Sequence, residues 1–374
     1  MDIRESISGR GRIQDDEKVT SSTLIFRRTD AFEVLQQARG WIHQCQDHHT
    51  KCRARDSDAE GSGFVPTRLI RVNTVDGVLK SVRLREHGEI DSKSKYLTLS
   101  HCWGAAKSIL LEQNSLTKFR SAIPLAQLPK TFKDAMLVTT QLGYEFVWID
   151  SLCIIQDSNE DWVRESALMG EIYRNSACTI AALGAKDSNG GCFQERCALS
   201  FLGCRFGPDF VIMGERQQDW LHSRAWVLQE RCLATRTLNF GANFVSYDCV
   251  EGSNDEMNWT QQMPTLKGRY SQLTIRNRGL WTKIEGEWRD SWLDDWWWIL
   301  GEYTKCNLTY ISDKWTAIQG LATTMADLNN VNIINGLWEP ALAQELLWVA
   351  DSMGSSRLSV GWPSWSWLSI DGAV

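Results

Sequence analysis

An α/β core with a mostly parallel sheet and crossover helices is expected from three features of the sequence. Short apolar runs rich in β-branched and aromatic residues stand at residues 96–100, 146–150 and 178–182. Between them lie two stretches with helical periodicity and capping residues, and strand, helix, strand, helix, strand is the order that builds parallel pairs through right-handed crossovers. The third feature is size: 374 residues suffice for one elaborated domain or two ordinary ones.

Residues 1–29 carry many charges and few apolar anchors before Leu24, and are expected to form a mobile tail. Asp30 with Glu33 has capping-box spacing, and from there Val34, Leu35, Ala38, Trp41, Ile42, Cys45, His49 and Cys52 share one helical face. That face contains Cys45, His48, His49 and Cys52 at metal-like spacing. Four tetrahedral ligands on one continuous helix are awkward, and no second Cys/His pair supports them, so core packing is preferred and no metal is assigned. Asp76-Gly77 joins two strand-like runs, at residues 67–72 and 79–84, in an expected peripheral hairpin. Residues 30–95 are therefore read as an N-terminal helix and hairpin packed on a core at 96–250.

Within that core, residues 96–100 lead directly into His101-Cys102-Trp103-Gly104. Thr131 and Asp134 have the spacing to cap a helix that ends at Gly143. The run at residues 146–150 ends in Asp150, at a strand's carboxyl end. Asp157 or Ser158 then caps a helix on which Trp162, Glu165, Ser166, Met169, Ile172 and Tyr173 form one stripe, with Arg164, Glu171 and Arg174 turned to water. A carboxylate on a core-facing stripe needs a partner or a purpose, which singles out Glu165. Residues 184–196 read as a Gly-rich loop and a candidate lid, residues 223–231 as a short helix, and residues 237–240 and 244–249 as a strand pair turning at Gly241.

Residues 251–374 are read as a Trp-rich region, helical at 288–303 and 340–349, that closes over the sheet. Twelve of the nineteen tryptophans lie between Trp281 and Trp367. Large rigid side chains of this kind build cores and lids, and the sharper alternative is an aromatic pocket for a flat or cationic small molecule. Asp294-Asp295 diverge on a helix and are read as solvent-facing.

A formal charge of −6 argues against a nucleic-acid or anionic-membrane partner. The amino terminus has no apolar signal core and the sequence no apolar run long enough to span a bilayer, so a cytoplasmic protein is expected, with its eleven cysteines reduced.

The motifs Tyr96-Leu-Thr-Leu-Ser-His-Cys-Trp-Gly104, Val147-Trp-Ile-Asp-Ser-Leu-Cys-Ile-Ile-Gln156 and Arg224-Ala-Trp-Val-Leu-Gln-Glu-Arg231 strongly resemble fungal heterokaryon incompatibility (HET) domain proteins. The likeness extends to residues 41–48, Gly336-Leu-Trp338, Leu347-Trp348 and residues 363–372. The resemblance implies a role in nonself recognition and programmed cell death, and a sheet of Toll/interleukin-receptor (TIR) or flavodoxin-like arrangement. Some TIR-type domains hydrolyse NAD with a helix glutamate, and on that analogy Glu165 is the residue carried over, with Trp103 or Trp148 stacking a ring. Many incompatibility proteins append recognition repeats, whereas this sequence stops after the Trp-rich motif, so activation by a protein partner or by self-association is an expectation.

Two other readings stand beside this one. A metabolic enzyme would use Cys153 or Cys102 as nucleophile, His101 as base and Asp150 to orient the imidazole. A non-catalytic interaction module would use Arg224, Gln229 and Glu230, otherwise candidate ligand-binding residues, only to knit the core. Glu165 itself has a plain alternative, an ion pair with Arg224 or Arg231.

Overall fold

The computed structural model describes residues 28–374 apart from 105–108, 197–203, 207–209, 213–218, 257–265, 274–281, 285–286, 290, 352–354 and 359–360. Its centre is one eight-stranded sheet formed by β1 (Arg68–Val75), β2 (Val78–Glu86), β3 (Tyr96–Ser100), β4 (Phe146–Trp148), β5 (Cys178–Ala181), β6 (Arg236–Phe240), β7 (Val245–Cys249) and β8 (Ser253–Asp255). The strand order is β8-β7-β6-β5-β3-β4-β1-β2. The four inner strands β4, β3, β5 and β6 are parallel, and antiparallel strands extend the sheet on both sides.

Burial follows that order. β3, β5 and β6 are buried at every position, as strands covered on both faces must be. The hairpin of β1 and β2 turns at Asp76-Gly77, both at positive φ (49° and 72°), where aspartate and glycine are tolerated. It is not a detached ribbon: β1 pairs with β4 and carries the sheet outward.

Eleven α-helices surround the sheet among the described residues: α1 (Phe32–His48), α2 (Thr50–Ser62), α3 (Leu116–Ser121), α4 (Lys130–Gln141), α5 (Asp150–Cys153), α6 (Asn159–Arg174), α7 (Ala225–Leu233), α8 (Leu266–Leu273), α9 (Ser291–Thr304), α10 (Thr316–Asn329) and α11 (Leu342–Glu345). α1 packs on β7, α4 on β1, β2 and β4, and α6 on α7, which in turn packs on α8 and α10.

Several expected details change for local reasons. Asp30 does not cap α1, because its carboxylate is held by the Arg28 guanidinium at 2.8 Å. The expected continuous helix through Cys52 breaks at His49, which is extended (φ −82°, ψ 108°). Thr131 and Asp134 cap no helix, and instead hold the loop after β5: Gly191 N–H donates to Thr131 Oγ1 at 2.9 Å, and Cys192 and Phe193 N–H to Asp134 Oδ2 at 2.9 and 3.1 Å. The described part of the Gly-rich loop is thus fastened to α4.

In the Trp-rich region, Trp288 lies in a short hairpin strand (Glu287–Arg289) ahead of α9. The helix expected over residues 340–349 is only α11, which ends where Glu345 turns inward to accept from Trp338 N–H at 3.2 Å and from the Trp297 indole. Trp367 donates to Gly336 O at 2.9 Å and Ser366 Oγ to Asn335 O at 2.7 Å, so the Gly336-Leu-Trp338 and Pro363-Ser-Trp-Ser-Trp367 motifs lock each other. Asp295 pairs with Arg269 at 3.2 Å, and no helix among the described residues is long and apolar enough to cross a membrane.

Candidate functional site

Open α/β sheets gather ligands outside the carboxyl ends of neighbouring parallel strands whose connections leave in opposite directions. Here the chain leaves β3 for β4 on one side and β5 for β6 on the other, so the switch point lies between Ser100 and Ala181. His101, buried to 4 % exposure, follows Ser100 directly. Gly104 closes the His101–Gly104 turn at φ +70°, and a Cβ there would lie 2.2 Å from Asp187 Cβ, so only glycine lets the turn approach the β5 loop.

Around this point several polar side chains converge. The Arg224 guanidinium, just before α7, donates to His101 O at 2.6 Å. Asp150, at the start of α5, accepts the Trp103 indole N–H at 2.7 Å and the Ser151 N–H at 2.6 Å. Glu230 reaches in from α7, and Tyr173, from α6, donates to Leu99 O at 3.4 Å.

Burial pushes the Glu230 carboxyl from its ordinary 4.5 to about 7, with Asp150 adding to the shift. The Ser100 and Tyr173 hydroxyls, aimed at the carboxylate, hold the shift back, and Arg224 tempers it as well. His101 is held below its usual value, first by burial and also by Arg224, against the pull of Asp150, so its imidazole is neutral at physiological pH. A carboxyl that titrates near neutrality beside Asp150 and a fixed guanidinium is suited to general acid–base work. The adjoining cavity, lined by Ser100, Thr179, His222 and Glu230 among others, measures about 10 Å³, room for about one water.

Glu165 and Cys153 lie on the other side of Asp150. Glu165 is fully buried, and its ion partner is the adjacent Arg164 (Nε to Oε1, 3.2 Å), not Arg224 or Arg231. Arg164 folds back over the helix to reach Asp161 as well. The buried stripe of α6 begins at Asp161 and leaves Trp162 exposed, because Asp161 makes a bidentate pair with Arg68 of β1 at 2.8 and 3.0 Å. Arg68 also donates to Cys153 O at 2.8 Å. A charged residue inside an apolar strand was the available signal for Arg68, and sequence reasoning passed over it.

Burial pushes the Cys153 thiol up to about 12 and raises that of Cys102, the opposite of what a nucleophilic thiolate needs. Trp148 is fully buried edge-on to Tyr173, while Trp103 is half-buried against Asp150. Gln229 accepts from Gly320 N–H at 3.2 Å and so ties α7 to α10, away from the strand ends. The Trp-rich layer holds a separate cavity of about 390 Å³ lined mainly by Trp297, Leu300, Leu337, Trp348 and Trp367.

His48 is exposed, so the run at residues 45–52 does not present all four of its expected ligands together. Cys45, His49 and Cys52 meet Cys249 of β7 instead, with ligand atoms within 4.8 Å of one another.

No curated protein and no solved structure matches the chain. A family match covers β3, the crossover helices α4 and α6, β4 and β5: residues 96–200 fit the family described as Heterokaryon incompatibility protein (HET). The strand-end cluster is therefore set largely within this segment, Arg224 and Glu230 joining it from outside, and it is this segment, residues 96–200, that the chain shares with the heterokaryon incompatibility (HET) family.

Proposed function

We propose that this protein acts in fungal nonself recognition as a cell-death effector, with its working centre at the carboxyl ends of β3 and β4. One observation carries the reading: the buried Glu230 carboxyl, pushed up to about 7, meets the Ser100 and Tyr173 hydroxyls, Asp150 and Arg224 at these strand ends, where His101 Nε2 and Ser151 Oγ are buried without a hydrogen-bond partner. Each such group costs about 1–3 kcal/mol, and a fold that concentrates them spends stability on something other than packing.

Two carboxylates at these strand ends, Asp150 and Glu230, with Glu165 beyond Asp150, suit cleavage of a glycosidic bond through an oxocarbenium-like centre. NAD glycohydrolysis of TIR type is the chemistry this favours, with Glu165 stabilising the ribosyl centre and Glu230 and His101 handling the proton. The raised thiols of Cys153 and Cys102 weigh against a thiol enzyme. With room for about one water at the switch point, substrate entry requires displacement of a covering element. A protein partner or self-association is the expected trigger, and the effector is expected to act in the cytoplasm.

Expression in a fungal host, with cell viability and cellular NAD followed together, tests this. Wild type should kill and deplete NAD, and Glu165→Gln and Glu230→Gln should each slow NAD loss by about 10²–10⁴-fold. Killing that persists in both variants and in His101→Ala, with NAD unchanged, would leave a non-catalytic interaction module as the correct reading.

A further inference from the structure

We infer that Cys45, His49, Cys52 and Cys249 bind one zinc ion, which fastens the two N-terminal helices to the edge of the central sheet. Among the described residues this is the one group of three or more Cys, His, Asp or Glu ligand atoms so gathered. Three are cysteines, buried within the fold, and the fourth is a half-buried imidazole.

The chain path makes tetrahedral ligation possible where one continuous helix would not. Cys45 lies in the last turn of α1, the extended His49 breaks the helix, and Cys52 lies in the first turn of α2. Cys249 comes from β7, about 200 residues away, and its Sγ lies 3.2 Å from His49 Nδ1. A zinc–sulfur bond of about 2.3 Å sets ligand separations of roughly 3.8 Å, so four atoms within 4.8 Å need only a small contraction. Three soft thiolates and one imidazole in a tetrahedral set favour zinc over hard cations.

Charge supports the same assignment. Zinc with three thiolates and a neutral imidazole carries one net negative charge. Arg236, fully buried and paired in register with Cys249, donates from Nε to Cys45 Sγ at 3.2 Å. Its two terminal nitrogens hold Asp56 of α2 at 2.8 and 2.5 Å. A guanidinium fixed on a ligand sulfur is the outer-shell support that orients metal ligands and balances a thiolate-rich site.

Metal analysis of the full-length protein, purified from zinc-supplemented culture, tests the inference. One zinc per chain is expected in wild type and in His48→Ala, and none in Cys249→Ser or His49→Ala. Should those two variants fail to fold, the wild-type protein exchanged with cobalt should show the intense visible bands of a tetrahedral thiolate-rich site. Wild-type protein that carries no zinc and takes up neither zinc nor cobalt would overturn the inference. So would one zinc retained in Cys249→Ser, or a non-reduced denatured chain with two titratable thiols too few, which would mark a disulfide.

Discussion

At the carboxyl ends of β3 and β4, His101 Nε2 and Ser151 Oγ are buried without a hydrogen-bond partner, near a Glu230 carboxyl pushed up to about 7. At the amino end of β6 the Arg236 guanidinium is fully engaged: it meets Asp56 with two nitrogens and Cys45 with the third. The same sheet therefore holds unpartnered polar atoms beside a raised carboxyl at one end and a fully engaged guanidinium at the other. An unmet polar group is a standing cost that only a ligand or a reaction justifies, whereas a met one stabilises. The difference is the ground for proposing chemistry at the first end and fastening at the second.

Breaking one ion pair at each end measures this contrast. Arg68 and Asp161 are each about 5 % exposed along the side chain, so Asp161→Ala strands a buried guanidinium and should cost about 3–5 kcal/mol in denaturant unfolding. Asp56 is 27 % exposed, and water can reach the Arg236 that Asp56→Ala leaves behind, so about 1–3 kcal/mol is expected. Equal losses would mean that the partial exposure of Asp56 gives water no access to Arg236.

The pH dependence of Glu230 is the sharper test of the under-satisfied end. Its folded carboxyl titrates near 7 against an ordinary 4.5, so between those values the folded chain binds a proton that the unfolded chain does not. Stability from this group is present below about 4.5 and is lost as pH rises through 7. Relative to wild type, Glu230→Gln should gain roughly 3 kcal/mol between pH 4 and pH 8, at about 1.36 kcal/mol per unit. Parallel stability profiles for the two proteins would show that Glu230 has ordinary surroundings. The smallest effect is a cap: Ser158 Oγ accepts from Asp161 N–H at 3.2 Å, and Ser158→Ala should cost about 1 kcal/mol without altering the pH profile.

The inner strands were legible because buried parallel strands need continuous β-branched and aromatic runs, and residues 96–100 and 178–182 have them. The stripe on α6 was legible in period and displaced by one residue in phase. Periodicity treats Asp161 as polar and Trp162 as core, and the Arg68 guanidinium reverses them. Capping boxes at Asp30 and Thr131 failed for a related reason, since short polar side chains serve whichever backbone or charge lies nearest, and that neighbour is set by the fold.

The sequence by itself determined the strand and helix order, the family motif, and the residues Glu165, His101 and Asp150 as the ones that would need explaining. Only the tertiary structure decided which of them share surroundings. It joined Glu230 and Arg224 to the end of β3, sealed Glu165 behind Arg164, buried the Cys153 thiol so that its pKa rises, and replaced His48 by Cys249. Periodicity reports which face of one element is apolar. Burial, charge pairing and metal geometry depend on distances between residues far apart in the chain, such as Cys52 and Cys249, and local spacing carries no record of those distances.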